Sequence, residues 1–198
     1  MIDDDKSRPS LDQLRAELDR VSRKRRGSVF GKILLVLLIL ILVVAVLAVI
    51  FLPGFVIYGD SMSPSLEEGD LTLSWPYGEV RSGDLIAFRY GERVLVKRVI
   101  AVAGDTVEIL TDGTVEVNHI ELDEPYAIKV QEDGSDMEYP LLVPAGSYFV
   151  LGDNRANSVD SRNSIVGYVH QDQIIGRIFL VVWPFARIHL IGGLPHFL

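Results

Sequence analysis

The chain has 198 residues and no cysteine. Disulfides, thiolate metal sites and a cysteine nucleophile are therefore excluded, although the absence suits oxidising and reducing compartments alike. Basic residues are scarce beyond the first thirty or so. Residues 33–198 hold ten Lys/Arg against twenty-one Asp/Glu, so nothing there would neutralise phosphates and no nucleic-acid partner is expected. There is no His-x-x-x-His pair and no Gly-rich phosphate loop, and the acidic residues are not spaced as a metal site; neither metal nor cofactor is expected. Gly-x-Ser-x-Gly is missing, which removes the α/β-hydrolase elbow. Also absent are internal repeats, low-complexity segments and, past residue 53, any long amphipathic helical pattern.

What is present begins with Ile33–Leu52, twenty uncharged apolar residues, enough for one helix across a bilayer. Pro53-Gly54 ends it. A buried core helix would show a polar face. A cleaved leader would have a shorter apolar region ending in small residues, not in Ile50-Phe51-Leu52-Pro53. Arg23, Lys24, Arg25, Arg26 and Lys32 precede the run, and no Lys or Arg follows Ile33 until Arg81. That asymmetry predicts a single-pass cell-membrane protein: residues 1–32 a cytoplasmic arm, 33–52 the anchor, 53–198 an extracytoplasmic domain. Within the arm, Leu11, Leu14, Leu18 and Val21 recur at helical spacing after Ser10, which forms a capping box with Gln13. This predicts a short helix, lying near anionic lipid or docking a partner.

Beyond the anchor the period changes. Leu71–Trp75, Asp84–Tyr90, Arg93–Val102, Thr106–Leu110, Thr114–Val117, Ser147–Leu151 and Ile174–Val182 are rich in β-branched or aromatic residues and are separated by glycine turns. The fold class predicted is an all-β domain of antiparallel sheets with one N-terminal transmembrane helix. Thr111-Asp112-Gly113-Thr114 reads as a tight hairpin turn, and Gln131–Glu138 as an exposed loop. Ile178–Val182 with Trp183-Pro184-Phe185 is too short for a second span. With Trp75-Pro76-Tyr77 it forms either an apolar surface against the bilayer or ordinary core.

Three segments can carry chemistry. In Gly59-Asp60-Ser61-Met62-Ser63-Pro64-Ser65-Leu66, Ser61 is a nucleophile candidate, although serines in Gly/Pro-rich turns are common. Gly59 would allow close backbone approach, and Pro64 would fix the following turn. A base is needed, and residues 53–198 contain only two lysines, Lys97 and Lys129. Lys129 lies near an acidic loop. Lys97 lies inside Arg93–Val102, where alternation places it with Leu95, Val99 and Ala101, opposite Arg98. An ordinary lysine is only about 0.1% neutral near pH 7.5, so a base here needs the pKa depression that burial gives. A lysine reaching solvent along its stem is the other reading. Third, Gly152–Arg162 is a polar run between strands in which Asp160 and Arg162 could pair and the serines could bond a neutral lysine; it also fits a solvated loop held by Asx turns.

Together with the anchor, these segments resemble type I signal peptidases of the compact single-span bacterial kind, the Ser-Lys enzymes that release exported proteins from their signal peptides. The resemblance rests on four stretches in family order: Gly59–Leu66, Gly83-Asp84-Leu85-Ile86-Ala87-Phe88, Lys97–Asp105 and Gly152–Arg162. It implies Ser61 as nucleophile with its own N–H at the oxyanion, Lys97 as general base, Ser158 orienting the lysine amine, and Asp160 with Arg162 bracing the loop. It further implies that Ile57, Leu66, Leu95 and Val96 line shallow pockets for small residues one and three before the cut. Ser65 stands where many relatives have threonine. Gly59 stands where some carry a second oxyanion-hole serine. The implied function is a serine endopeptidase that cuts exported preproteins after a small-x-small motif at the outer membrane face. Its partners would be preproteins, membrane lipid and, as a candidate, the translocation channel. A related Ser-Lys peptidase dedicated to one substrate, or a non-catalytic tethered β module, are the alternatives.

Overall fold

The structure, a computed structural model, describes residues 11–130 and 135–192. The chain divides into two compact units, Met1–Ile50 and Phe51–Leu198. In the first, a single helix α1 (Leu11–Phe51) runs for 41 residues. The short arm helix and the anchor are thus one element. Between Val21 and Ile33 stand arginines and lysines, which favour helix, and no proline interrupts the hydrogen-bond ladder. Ser10 of the expected capping box lies outside the described residues. Phe30–Leu47 has mean hydropathy 3.2 and is 0% buried, and past Lys32 it is apolar on every side, which fits a membrane anchor. Pro53 follows the helix end.

The second unit is built of antiparallel strands: β1 (Gly54–Val56), β2 (Leu71–Trp75), β3 (Leu85–Tyr90), β4 (Arg93–Val102), β5 (Thr106–Ile109), β6 (Val115–Val117), β7 (Ile120–Glu121), β8 (Leu141–Leu142), β9 (Ser147–Leu151), β10 (Val169–His170), β11 (Ile174–Trp183) and β12 (His189–Leu190). The larger sheet runs β1-β2-β11-β3-β4-β9-β10, with β12 added to β11; the smaller runs β7-β6-β5-β8. The all-β, antiparallel expectation holds. β3 is central and buried on both faces, which is why its first four residues are continuously apolar. Leu85 and Ala87 pack with Ile57, Met62, Leu66, Ile178 and Val181 on one side. Ile86 and Phe88 pack with Val99, Val150 and Val169 on the other.

A register shift between Val99 and Ala101 re-phases β4 against β9. Ala101 therefore joins Ile100 in a third apolar cluster shared with the smaller sheet, and does not stay on the face of Leu95 and Val99 as simple alternation predicts. The Thr111–Thr114 turn forms as expected: Leu110 N–H donates to Thr114 O, and Gly113 has φ 83°. Gln131–Gly134 of the expected exposed loop lies outside the described residues; Asp136, just beyond it, accepts from Ser164 N and Oγ. Trp183, Phe185, Ile188 and Tyr77 are exposed and not core. Trp183 and Phe185 meet edge to face, with centroids 4.7 Å apart.

Candidate active site

Residues 57–70 form a loop between β1 and β2. Ile57 N–H donates to Asp70 O and Gly69 N–H to Ile57 O, which closes the loop at its base. Met62 and Leu66 are buried pegs, 1% and 0% exposed, leaving the residues between Ile57 and Met62 at the surface. Gly59 has φ +77° with open space around it. Its requirement is therefore the left-handed backbone conformation and not tight packing.

Lys97 lies in the middle of β4, opposite Ile86 of β3, and is 3% exposed. Its Nζ donates to Ser61 Oγ at 2.7 Å. Burial lowers its pKa to about 8, against the carboxylates of Asp160 and Asp153, which raise it; the Arg162 guanidinium adds to the lowering. The reading of a lysine snorkelling to solvent therefore does not apply.

The 152–162 loop folds back on itself. Asp160 Oδ2 accepts from Gly152 N–H at 2.9 Å, and Arg162 grips Asp160 through Nε at 2.9 Å and Nη2 at 3.0 Å. Arg162 also donates to Arg155 O at 2.7 Å. Asn154 N–H reaches Ser61 O at 3.1 Å and so ties this loop to the first one. Gly152 makes that approach possible. A Cβ there would lie 2.2 Å from Ser158 Oγ and 2.6 Å from Ser61 O. The hydrogen bond expected from Ser158 to Lys97 is not made: Ser158 Oγ is buried without a partner.

Several residues of the site were not singled out from the sequence. Arg98 binds Asp153 through Nε at 2.8 Å and Nη2 at 2.7 Å, Ser65 Oγ at 3.1 Å and Gly83 O at 2.9 Å. It also lies 3.8 Å from the Tyr126 ring centroid. Glu124 accepts from buried Arg155 at 2.5 Å, and Ile128 N–H donates to Asp153 O at 2.8 Å. A strap at 124–128 is thereby fastened to the loop. Arg98 and Asp153 stood inside the quoted motifs; Glu124 and Tyr126 carried no sequence signal.

Two cavities open from the Ser61–Lys97 pair. One, of about 620 Å³, is lined by Phe55, Val56 and Ile57 together with Met62, Leu95 and Val96. The other, of about 630 Å³, passes Gly59 and Asp60 towards Glu92 and Asn157. Ile57, Leu95 and Val96 line the first of these cavities. Leu66 does not line either cavity; its turn, closed by Leu66 N–H to Met62 O, points the side chain into the core. On the smaller sheet, cross-strand pairing brings ligand atoms of Glu108, Glu116 and His119 within 4.8 Å of one another, outside both cavities. Sequence spacing could not display that cluster, since Glu108 and Glu116 meet only through strand register.

A family model described as Signal peptidase, peptidase S26 matches residues 30–183. Signal peptidase I U of Bacillus subtilis (strain 168) is 36% identical over 152 residues, covering 70% of this chain and 80% of that protein. Signal peptidase I of Bacillus licheniformis is 30% identical over 180 residues, covering 84% and 95%. The crystal structure of a signal peptidase I from Enterococcus faecalis V583 aligns at 32% identity and a TM-score of 0.41, over 50% of this chain and 97% of that one.

Proposed function

The chain belongs to the signal peptidase family, peptidase S26, and from that premise we propose that it removes signal peptides from exported preproteins, with Ser61 as nucleophile and Lys97 as general base. The observation that carries this is the 2.7 Å contact between Ser61 Oγ and a buried lysine amine. With a pKa of about 8, roughly a quarter of Lys97 is neutral at pH 7.5, some two hundred times the fraction of an ordinary lysine. Neutral Lys97 takes the Ser61 proton as Oγ attacks the scissile carbonyl, and the Ser61 N–H receives the oxyanion. The ammonium then protonates the leaving amine, and a Ser61 ester remains. Water hydrolyses that ester with Lys97 again as base.

Asp160, gripped by Arg162, holds the 152–162 loop, and the unpartnered Ser158 hydroxyl supplies a bond for the lysine once Ser61 is acylated. Ile57, Leu95 and Val96 select small side chains before the cut. The basic cluster ahead of the anchor supports a cytoplasmic N-terminus with residues 53–198 on the opposite side. Exposed Trp183, Phe185 and Ile188 support contact with lipid.

The test is cleavage of a synthetic preprotein by full-length chain in detergent or liposomes. Ser61→Ala and Lys97→Ala should each abolish cleavage while circular dichroism shows a folded domain. Wild-type-like turnover by either would sink the assignment.

A further inference from the structure

A polypeptide cut at Ser61 must extend both ways from the scissile carbonyl, and of the two cavities that meet there only one is lined by carboxylates. The one lined by Phe55, Val56 and Ile57 holds no carboxylate and, apart from Ser61, Arg93 and Lys97, is walled mainly by apolar side chains, suited to the small side chains that precede the cut. The other carries two carboxylates that the first lacks, Asp60 and Glu92, while Arg93 and Lys97 line both, in a unit that is itself strongly acidic. Asp60 directly precedes the nucleophile and is exposed. Its Oδ2 accepts from Asn157 Nδ2 at 2.7 Å, across 97 residues of chain. Because Asn157 sits in the loop that also ties down Ser61 O, the carboxylate is held in register with the reacting atoms. An ionised carboxylate offers about four acceptor sites, and this bond uses one.

We propose that the cavity of Asp60, Glu92 and Asn157 seats the first residues after the scissile bond, with Asp60, oriented by Asn157, as the specificity-determining group. Its free lone pairs accept from basic side chains or N–H groups of the departing segment, and a carboxylate placed against Asp60 and Glu92 meets like charge. This rests on the reading of Ser61 and Lys97 as the cutting pair.

The experiment uses full-length chain in detergent and preproteins identical except for Lys or Glu at the second residue after the cut. The kcat/KM ratio should favour Lys by roughly three- to tenfold, the range exposed charge pairs allow, and should shrink as salt is raised. Asp60→Asn keeps the shape and can still accept from Asn157, and it should bring the ratio close to one. Cleavage with a flat ratio in the wild type, or a ratio unchanged in Asp60→Asn, overturns this proposal and leaves the cutting pair intact. A change of preference only at residues before the cut overturns it equally. Failure to cut any preprotein overturns both.

Discussion

Lys97 is held where an ammonium is disfavoured, and the consequences can be measured on one residue. The rising limb of kcat/KM against pH should lie near the lysine pKa of about 8; a limb near 10.5 would remove the buried base. Asp160→Asn removes the largest influence that raises this pKa and leaves Arg162, which lowers it, uncompensated. Both changes act in one direction, so the limb should move to lower pH, read well below the variant's melting temperature. Lys97→Met removes the burial penalty instead. At pH 7 the lysine is protonated both folded and unfolded, and a depression from 10.5 to about 8 costs the fold about 3 kcal/mol. The methionine variant should therefore melt several degrees higher by calorimetry while being inactive. Between about pH 8 and 10.5 the unfolded chain binds more protons, so wild-type stability gains with pH there and the variant lacks that gain. Lys97 was legible because two lysines were the whole choice and alternation marked one as inward. The environment of Asp153 was not legible. Its partner Arg98 was assigned only a direction, opposite to Lys97, and a direction does not identify what a side chain meets.

At the scale of elements, long strands were readable and short ones were not. β2, β4 and β9 match their predicted bounds because five to ten residues of β-branched or aromatic character suffice to declare a strand. β7, β8, β10 and β12 are two residues each and exist through the neighbours they pair with, as His189 does with Val181. The turn leading into the last of these carries an unanticipated clasp. After β11, the 3-10 turn Phe185–Arg187 directs Arg187 to Glu67 and, at 3.2 Å, to Asp70. Asp70 is 1% exposed and closes the base of the loop that carries Ser61. Arg187→Met leaves that carboxylate buried without its cation. The expected loss is about 2 kcal/mol, or roughly 4–8 °C in melting temperature for a domain of this size. Adding Asp70→Asn should return most of it. A single variant that melts like the wild type would show the clasp to be idle.

Across the whole molecule, a helix that is basic in its first half and apolar from Ile33 onward, and an acidic β unit, follow from one division of charge along the chain. The boundary between arm and anchor was legible only as chemistry. The backbone crosses it without a break, because arginine and lysine change the preferred solvent of a helix without ending it. The same division predicts a direction across the bilayer, and the absence of cysteine makes that direction testable with single thiols. Asp12 is exposed on the basic side of the anchor, and Asp112 is exposed in the turn between β5 and β6. In intact cells a membrane-impermeant maleimide should label Asp112→Cys and spare Asp12→Cys, which should react only after permeabilisation. Labelling in the reverse order would place the basic cluster outside. Ser61 and Lys97 would then lie on the side where exported chains have not yet arrived, and the proposed activity would fall with the topology.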